Sequence, residues 1–241
     1  MYGINYEGKH SFKDFNVTIL NTREISTPQK KKITVTVPFM SGSYDFSNLY
    51  NGLCFDERVI EYEFLIKESS SEKLEFKRMQ LEAWLLSTNE KTILVDDNLR
   101  GYYYSAECRE IEFEEINHIG KMRVTFVAYP FKFSNAFEGK LLWDDFNFEL
   151  DTLQKTTFEI KGRKLVTIYN PSAINISPEI ITNSEMTIIK KRISYNFPEG
   201  ISYNFPVGKT CNNDFCLDKG KNILEIKGTG KIEIRFRREV L

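Results

Sequence analysis

Only one stretch of this 241-residue chain carries a helical hydrophobic period, Glu72 to Ser87. Leu74, Leu81 and Leu85 recur on one face of it, with Met79, Trp84 and Leu86 widening or flanking that stripe. Strong helix formers fill the rest, and Gly and Pro are absent. Ser71 is the expected N-cap, followed by Glu72 in the first turn, where the helix dipole favours an acid. Elsewhere apolar residues alternate with polar ones, or occur in short runs cut by Gly, Pro, Asn and Asp, so the remainder has to be built from sheet. Nineteen Phe and twelve Tyr fit that composition. The predicted fold class is mainly β, with a β-rich N-terminal half carrying one α-helix at about residues 72–87 and a β-rich C-terminal half.

In the first half, strands are predicted at Tyr2–Tyr6, Asn16–Leu20, Arg58–Lys67, Thr92–Val95, Tyr102–Arg109, Ile111–Ile116 and Met122–Tyr129. Thr22–Lys32 reads as a loop, because Thr27 precedes Pro28. Asp96-Asp97-Asn98 and His118-Ile-Gly120 read as turns, with the acids used for local hydrogen bonds. The polar Ser134-Asn-Ala-Phe-Glu-Gly139 is the expected boundary, giving domains at 1–134 and 140–241. In the second, short strands at Thr156–Ile160, Leu165–Tyr169, Glu179–Thr182 and Met186–Arg192 are spaced as in a β-sandwich. The chain then closes on a predicted hairpin, Ile223–Ile226 and Ile232–Phe236, turning at Gly228-Thr-Gly230.

Composition excludes several function classes. Thirty-three basic and 34 acidic residues leave a net charge of -1, without the basic excess of a nucleic-acid reader. No apolar run is long enough to span a membrane, and the first nine residues show no secretory h-region. Cys54, Cys108, Cys211 and Cys216 are expected as reduced thiols. Neither they nor His10 and His118 make a metal-ligand pattern, so no metal or cofactor is expected. There is no Gly-x-Ser-x-Gly elbow and no His-Glu-x-x-His, and acidic pairs such as Asp96/Asp97 and Glu114/Glu115 read as solvated turns and strand ends. The chain reads as a non-enzyme.

Two stretches remain distinctive. Thr34-Val-Thr-Val-Pro38 is a strand stopped by a residue with no N–H to donate. It leads through Gly42 into Tyr44-Asp45-Phe46, and Arg58 then opens a new strand. Charge alone pairs Arg58 with Asp45. The second stretch is a tandem, Ile193-Ser-Tyr-Asn-Phe-Pro198 and Ile201-Ser-Tyr-Asn-Phe-Pro206, which reads as a lengthened hairpin. Its alternative reading is a surface displaying Tyr195, Phe197, Tyr203 and Phe205 for stacking on sugar rings.

Four features in order resemble one family: an N-terminal Gly-containing strand, Val37-Pro38 with Gly42-Ser-Tyr-Asp-Phe-Ser47 and Arg58, a helix carrying Ala83-Trp84-Leu85, and a Tyr129-Pro130 strand end before a β-rich half closing on Gly220-Lys-Asn222 and Gly228-Thr-Gly230-Lys-Ile-Glu-Ile-Arg-Phe-Arg237. Together they are similar to the distal tail proteins of long-tailed, non-contractile bacteriophages. The resemblance implies an N-terminal β-rich, ring-forming domain with one helix, and a galectin-like C-terminal β-sandwich. It also implies a hub, usually a hexameric ring, at the virion tail tip. The implied partners are further copies of the chain, the tail tube and tape-measure proteins, and tail-tip or receptor-binding proteins, with DNA only passing through the lumen. Pro38, Gly42, Tyr44, Asp45, Phe46, Arg58 and Trp84 become the expected structural and assembly residues. A carbohydrate-binding β-sandwich module is the alternative function.

Overall fold

The computed structural model describes residues 2–39, 41–47, 54–140, 153–191 and 200–241, and divides into two compact units, Met1–Phe133 (with Leu241) and Ser134–Val240. Both are mainly β, and α1 (Ser71–Leu85) is the one helix among the described residues.

The first unit is built on an antiparallel sheet of β1 (Ile4–Tyr6), β2 (Lys9–His10), β3 (Thr18–Ile25), β6 (Arg58–Lys67), β7 (Thr92–Asp96), β8 (Tyr102–Ile116) and β9 (Ile119–Ala128). Their order is β2-β1-β7-β8-β9-β6-β3. A separate two-stranded ladder joins β4 (Thr34–Val35) to β5 (Tyr44–Asp45), and β10 (Lys132–Ser134) follows β9. Ile60, Tyr62, Phe64 and Ile66 of β6 alternate inward, in register with Met122, Val124 and Phe126 of β9. α1 covers that face with Leu74, Leu81, Trp84 and Leu85, each such burial contributing about 1.5–3 kcal/mol. The opposite face is polar, as an antiparallel sheet permits; there Glu63 lies 2.9 Å from Lys121 Nζ and 3.2 Å from Arg123 Nη2.

Three local expectations for this unit need correction. The N-cap is Ser70, whose hydroxyl accepts from Lys73 N at 3.3 Å, while Ser71 is already helical. β3 continues to Ile25, because Arg23, Glu24 and Ile25 still pair with Tyr62, Glu61 and Ile60 after a register shift. The strands predicted at Tyr102–Arg109 and Ile111–Ile116 are one strand with a bulge between Cys108 and Glu110. A bulge inserts one residue and reverses the alternation, so the inward set passes from Tyr104, Ala106 and Cys108 to Ile111 and Phe113. Asn117 and His118, at φ 50° and 61°, make the two-residue turn from β8 to β9.

The second unit comprises β11 (Thr157–Asn170), β12 (Glu179–Thr182), β13 (Met186–Lys190), β14 (Ile201–Phe205), β15 (Gly208–Cys211), β16 (Gly220–Arg235) and β17 (Glu239–Val240). The predicted closing hairpin does not form. Gly228-Thr-Gly230 lies inside β16, which pairs with β11 continuously from Gly220↔Asn170 to Glu233↔Thr157. β11 likewise fuses the two short strands predicted there. The other edge of β16 serves two neighbours, β13 from Leu224 to Gly228 and β12 from Ile232 to Arg235. The glycines sit where those neighbours change over. At φ 141° and 142° they adopt backbone that side chains disfavour. A Cβ on Gly230 would stand 2.3 Å from Asn183 Oδ1 and 2.6 Å from Ser184 Oγ. The β12–β13 turn occupies that space: Asn183 Oδ1 accepts from Lys231 N at 2.6 Å, and Ser184 Oγ donates to Thr229 O. Ile160, Ile168, Ile188, Phe205, Phe215, Leu224, Ile226 and Ile232 fill the core this sheet wraps.

Candidate assembly surface

Residues 34–39 and 41–46 belong to an exposed arm on the first unit rather than to its sheet. Between β3 and β6 the chain leaves the body through the Lys30↔Phe55 bridge, with Lys31 N donating to Cys54 O and Asp56 N to Gln29 O. Beyond it, Thr34 pairs with Asp45 and Val35 with Tyr44. Ser47 closes the ladder: its Oγ accepts from Ile33 N at 2.9 Å, and its amide donates to Asp45 Oδ1 at 2.9 Å. The Ser47 hydroxyl and amide hold the Asp45 carboxyl below its usual pKa. Pro38 lies in a turn with Phe39, and Gly42 has φ 98° with open space where a Cβ would project. Gly42 is thus required by backbone conformation rather than by packing.

Asp45 and Arg58 do not pair. Arg58 opens β6 inside the body, where its Nη2 donates to Pro130 O at 2.9 Å and its guanidinium lies 5.7 Å from the Tyr104 ring centroid. Burial pushes its pKa down. Charge suggested a partner that a separate arm does not bring within reach. Trp84 is an internal residue too. It stacks on Phe15 at 4.6 Å and donates from Nε1 to Tyr6 O at 2.8 Å, fixing the end of α1 against β1.

Six apolar side chains of the arm are exposed instead: Ile33, Val35, Val37, Phe39, Tyr44 and Phe46. Phe39 is fully solvated at φ 66°, a conformation disfavoured for a bulky L-residue. Nor do Met79 and Leu86 widen the core stripe of α1. With Phe76 and Ala83 they are exposed on its other side, at 57% and 52%. The sequence held that signal in their spacing of three, four and three residues, which a single-faced reading of the helix absorbs into the core.

The tandem aromatics part company. Tyr195 and Phe197 lie outside the described residues. Tyr203 and Phe205 belong to β14 and turn inward: both pack edge-on against Phe215, at 5.1 and 5.4 Å, and Phe205 is 2% exposed. Phe205 is a core residue and Tyr203 packs half-buried against the core, because β14 must supply inward residues opposite Met186 and Ile188.

Sequence reasoning also missed two polar clusters. Asp96 is fully buried; Oδ2 accepts from Arg23 Nη1 at 2.8 Å, Tyr62 OH at 2.9 Å and Tyr2 OH at 3.2 Å. Asp97 accepts from Gly3 N and bonds His10 Nε2, while His10 Nδ1 accepts from the amides of Phe12 and Lys13. Those two amides fix the imidazole as the Nε2–H tautomer. His118, in the predicted turn, has its Nδ1 2.8 Å from Ser71 Oγ, whose hydroxyl donates to Glu115 at 2.8 Å. The serine lies between acid and imidazole, the wrong order for a histidine base oriented by a carboxylate. Among the described residues no group of three or more His, Cys, Asp or Glu is placed to hold a metal.

A family model described as a phage tail protein RIFT-related domain matches residues 9–128. No curated protein sequence matches the chain. The crystal structure of phage SPP1 Dit (gp 19.1), described as a paradigm of the hub adsorption apparatus in phages infecting Gram-positive hosts, is similar over 100% of both chains, with a TM-score of 0.68 at 11% identity. A chain of the phage P2 baseplate in its activated conformation with calcium aligns over 98% of this chain and 97% of its own, with a TM-score of 0.43 at 12% identity.

Proposed function

Because this chain belongs to the distal tail protein family of long-tailed, non-contractile phages, we propose that it is the structural hub of such a tail tip. Residues 1–134 form a ring, hexameric in this reading, that ends the tail tube. Residues 140–241 are a galectin-like domain projecting outward. The ring joins the tube and tape-measure proteins to the tail-tip and receptor-binding proteins, and DNA passes its lumen without sequence recognition. Assembly takes place in the cytoplasm of the host bacterium, and the role is mechanical rather than catalytic.

The observation that carries this reading is a fold shared along the whole chain with a hub protein, in both units and not in the matched domain alone. The apolar surfaces left exposed on the first unit agree with it, since large exposed apolar patches mark interaction sites. The sugar-platform alternative loses support where Tyr203 and Phe205 turn into the core. Light scattering on the purified full chain, followed by negative-stain imaging of the same peak, tests the hub. Closed rings are expected, and a monomer at every concentration overturns it.

A further inference from the structure

We propose that the arm of one copy lies along the outward stripe of α1 on the next, so that each protomer is both donor and acceptor in a head-to-tail contact. This deepens the hub reading and rests on it.

Among the described residues the arm is a two-stranded ladder. Such a hairpin is marginal by itself in water, and this one exposes Ile33, Val35, Val37, Phe39, Tyr44 and Phe46. Phe39 holds a disfavoured φ of 66° while making no use of its ring. Backbone strain of this kind persists where function needs it. The stripe is the complementary anomaly. α1 already covers the core with Leu74, Leu81, Trp84 and Leu85, yet its opposite side carries Phe76, Met79, Ala83 and Leu86. That spacing makes a seam along a helix, and Met supplies an adaptable surface to receive an inserted ring.

Area and symmetry favour a second copy as the occupant. Side chains of these sizes give the arm on the order of 600 Å² of exposed apolar surface, near the ~800 Å² that each partner contributes to a specific interface. Two different patches on one unit are satisfied by a second copy, either reciprocally in a two-fold pair or head to tail, and the head-to-tail contact closes a ring when the rotation permits. Charge is consistent with this choice. Lys30, Lys31 and Lys32 are exposed at the base of the arm, and Glu72 and Glu75 are exposed beside the start of the stripe.

The test uses the full chain with Phe39→Asp in the arm or Met79→Glu on the helix. Both sites are exposed, aspartate tolerates positive φ and glutamate is a good helix former, so circular dichroism and Tm should stay close to wild type. Each variant alone should need at least about 30-fold more protein to assemble, the scale of a hot-spot side chain. An equimolar mixture should stop at a dimer, because the arm of the Met79→Glu copy still fits the helix of the Phe39→Asp copy. Rings that persist in both variants, or a mixture that stays monomeric, overturn the arm–helix contact. Persistent rings leave the hub reading standing; a wild-type chain that never assembles overturns both.

Discussion

Three donors converge on one oxygen of Asp96, Tyr2 from just ahead of β1, Arg23 from β3 and Tyr62 from β6. A carboxylate with no exposed surface is tolerated because Arg23 neutralises it and two hydroxyls complete its shell. Asp96→Asn keeps the shape but leaves Arg23 without its counter-charge. With Arg23 one-third exposed, the expected loss is about 2 kcal/mol, below the range for a fully buried broken pair. Chemical denaturation should show it as a lower midpoint at unchanged slope. The same cluster sets an alkaline limit. Burial, reinforced by Asp96, pushes Tyr2 up to about 12 and Tyr62 well above its ordinary value. Raised folded-state values mean that these phenols stabilise the fold fully below about pH 10 and progressively less as pH rises through the folded values. Stability should therefore fall above pH 10, with part of the tyrosinate absorbance appearing only on unfolding. Full titration of all tyrosines in the folded chain would contradict this.

At the scale of elements, β16 is the strand on which the second unit depends, since it hydrogen-bonds β11 on one edge and both β12 and β13 on the other. Its glycines were legible as special but not as to their use. Gly228-x-Gly230 between two alternating runs has the local signature of a turn, and a turn and a bent continuous strand ask for the same backbone freedom. The partner decides: β11 runs past both glycines in register, and the Asn183-Ser184 turn fills the room a side chain would need. Gly230→Ala should cost about 2–3 kcal/mol, from disfavoured φ plus displacement of that turn. Asn183→Gly, which removes one of the two obstructing side chains, should recover part of the loss in thermal melts.

For the whole molecule, each unit has its own core, one built on α1 and β6–β9, the other on β11–β16. A unit with its own core is expected to fold as a unit. The fragment 134–240 should therefore melt cooperatively, with near-native circular dichroism; a broad, non-cooperative transition would count against it. Both exposed apolar surfaces, the arm and the outer α1 stripe, belong to the first unit.

The sequence alone determined what depends on local pattern: the helix and its Leu74, Leu81 and Leu85 stripe, the inward alternation of β6, the turn at His118, and the family resemblance carried by the Val37–Arg58 and C-terminal motifs. These follow from periodicity and backbone preference, which neighbouring residues impose on one another. Tertiary structure decided which candidates face solvent and which face each other. Arg58 found Pro130 O rather than Asp45, Phe205 found Phe215, Asp96 was buried by donors more than thirty residues away, and Met79 and Leu86 were left outside. Each of these outcomes depends on which strand becomes the neighbour, and pairing between distant segments leaves little trace in local sequence.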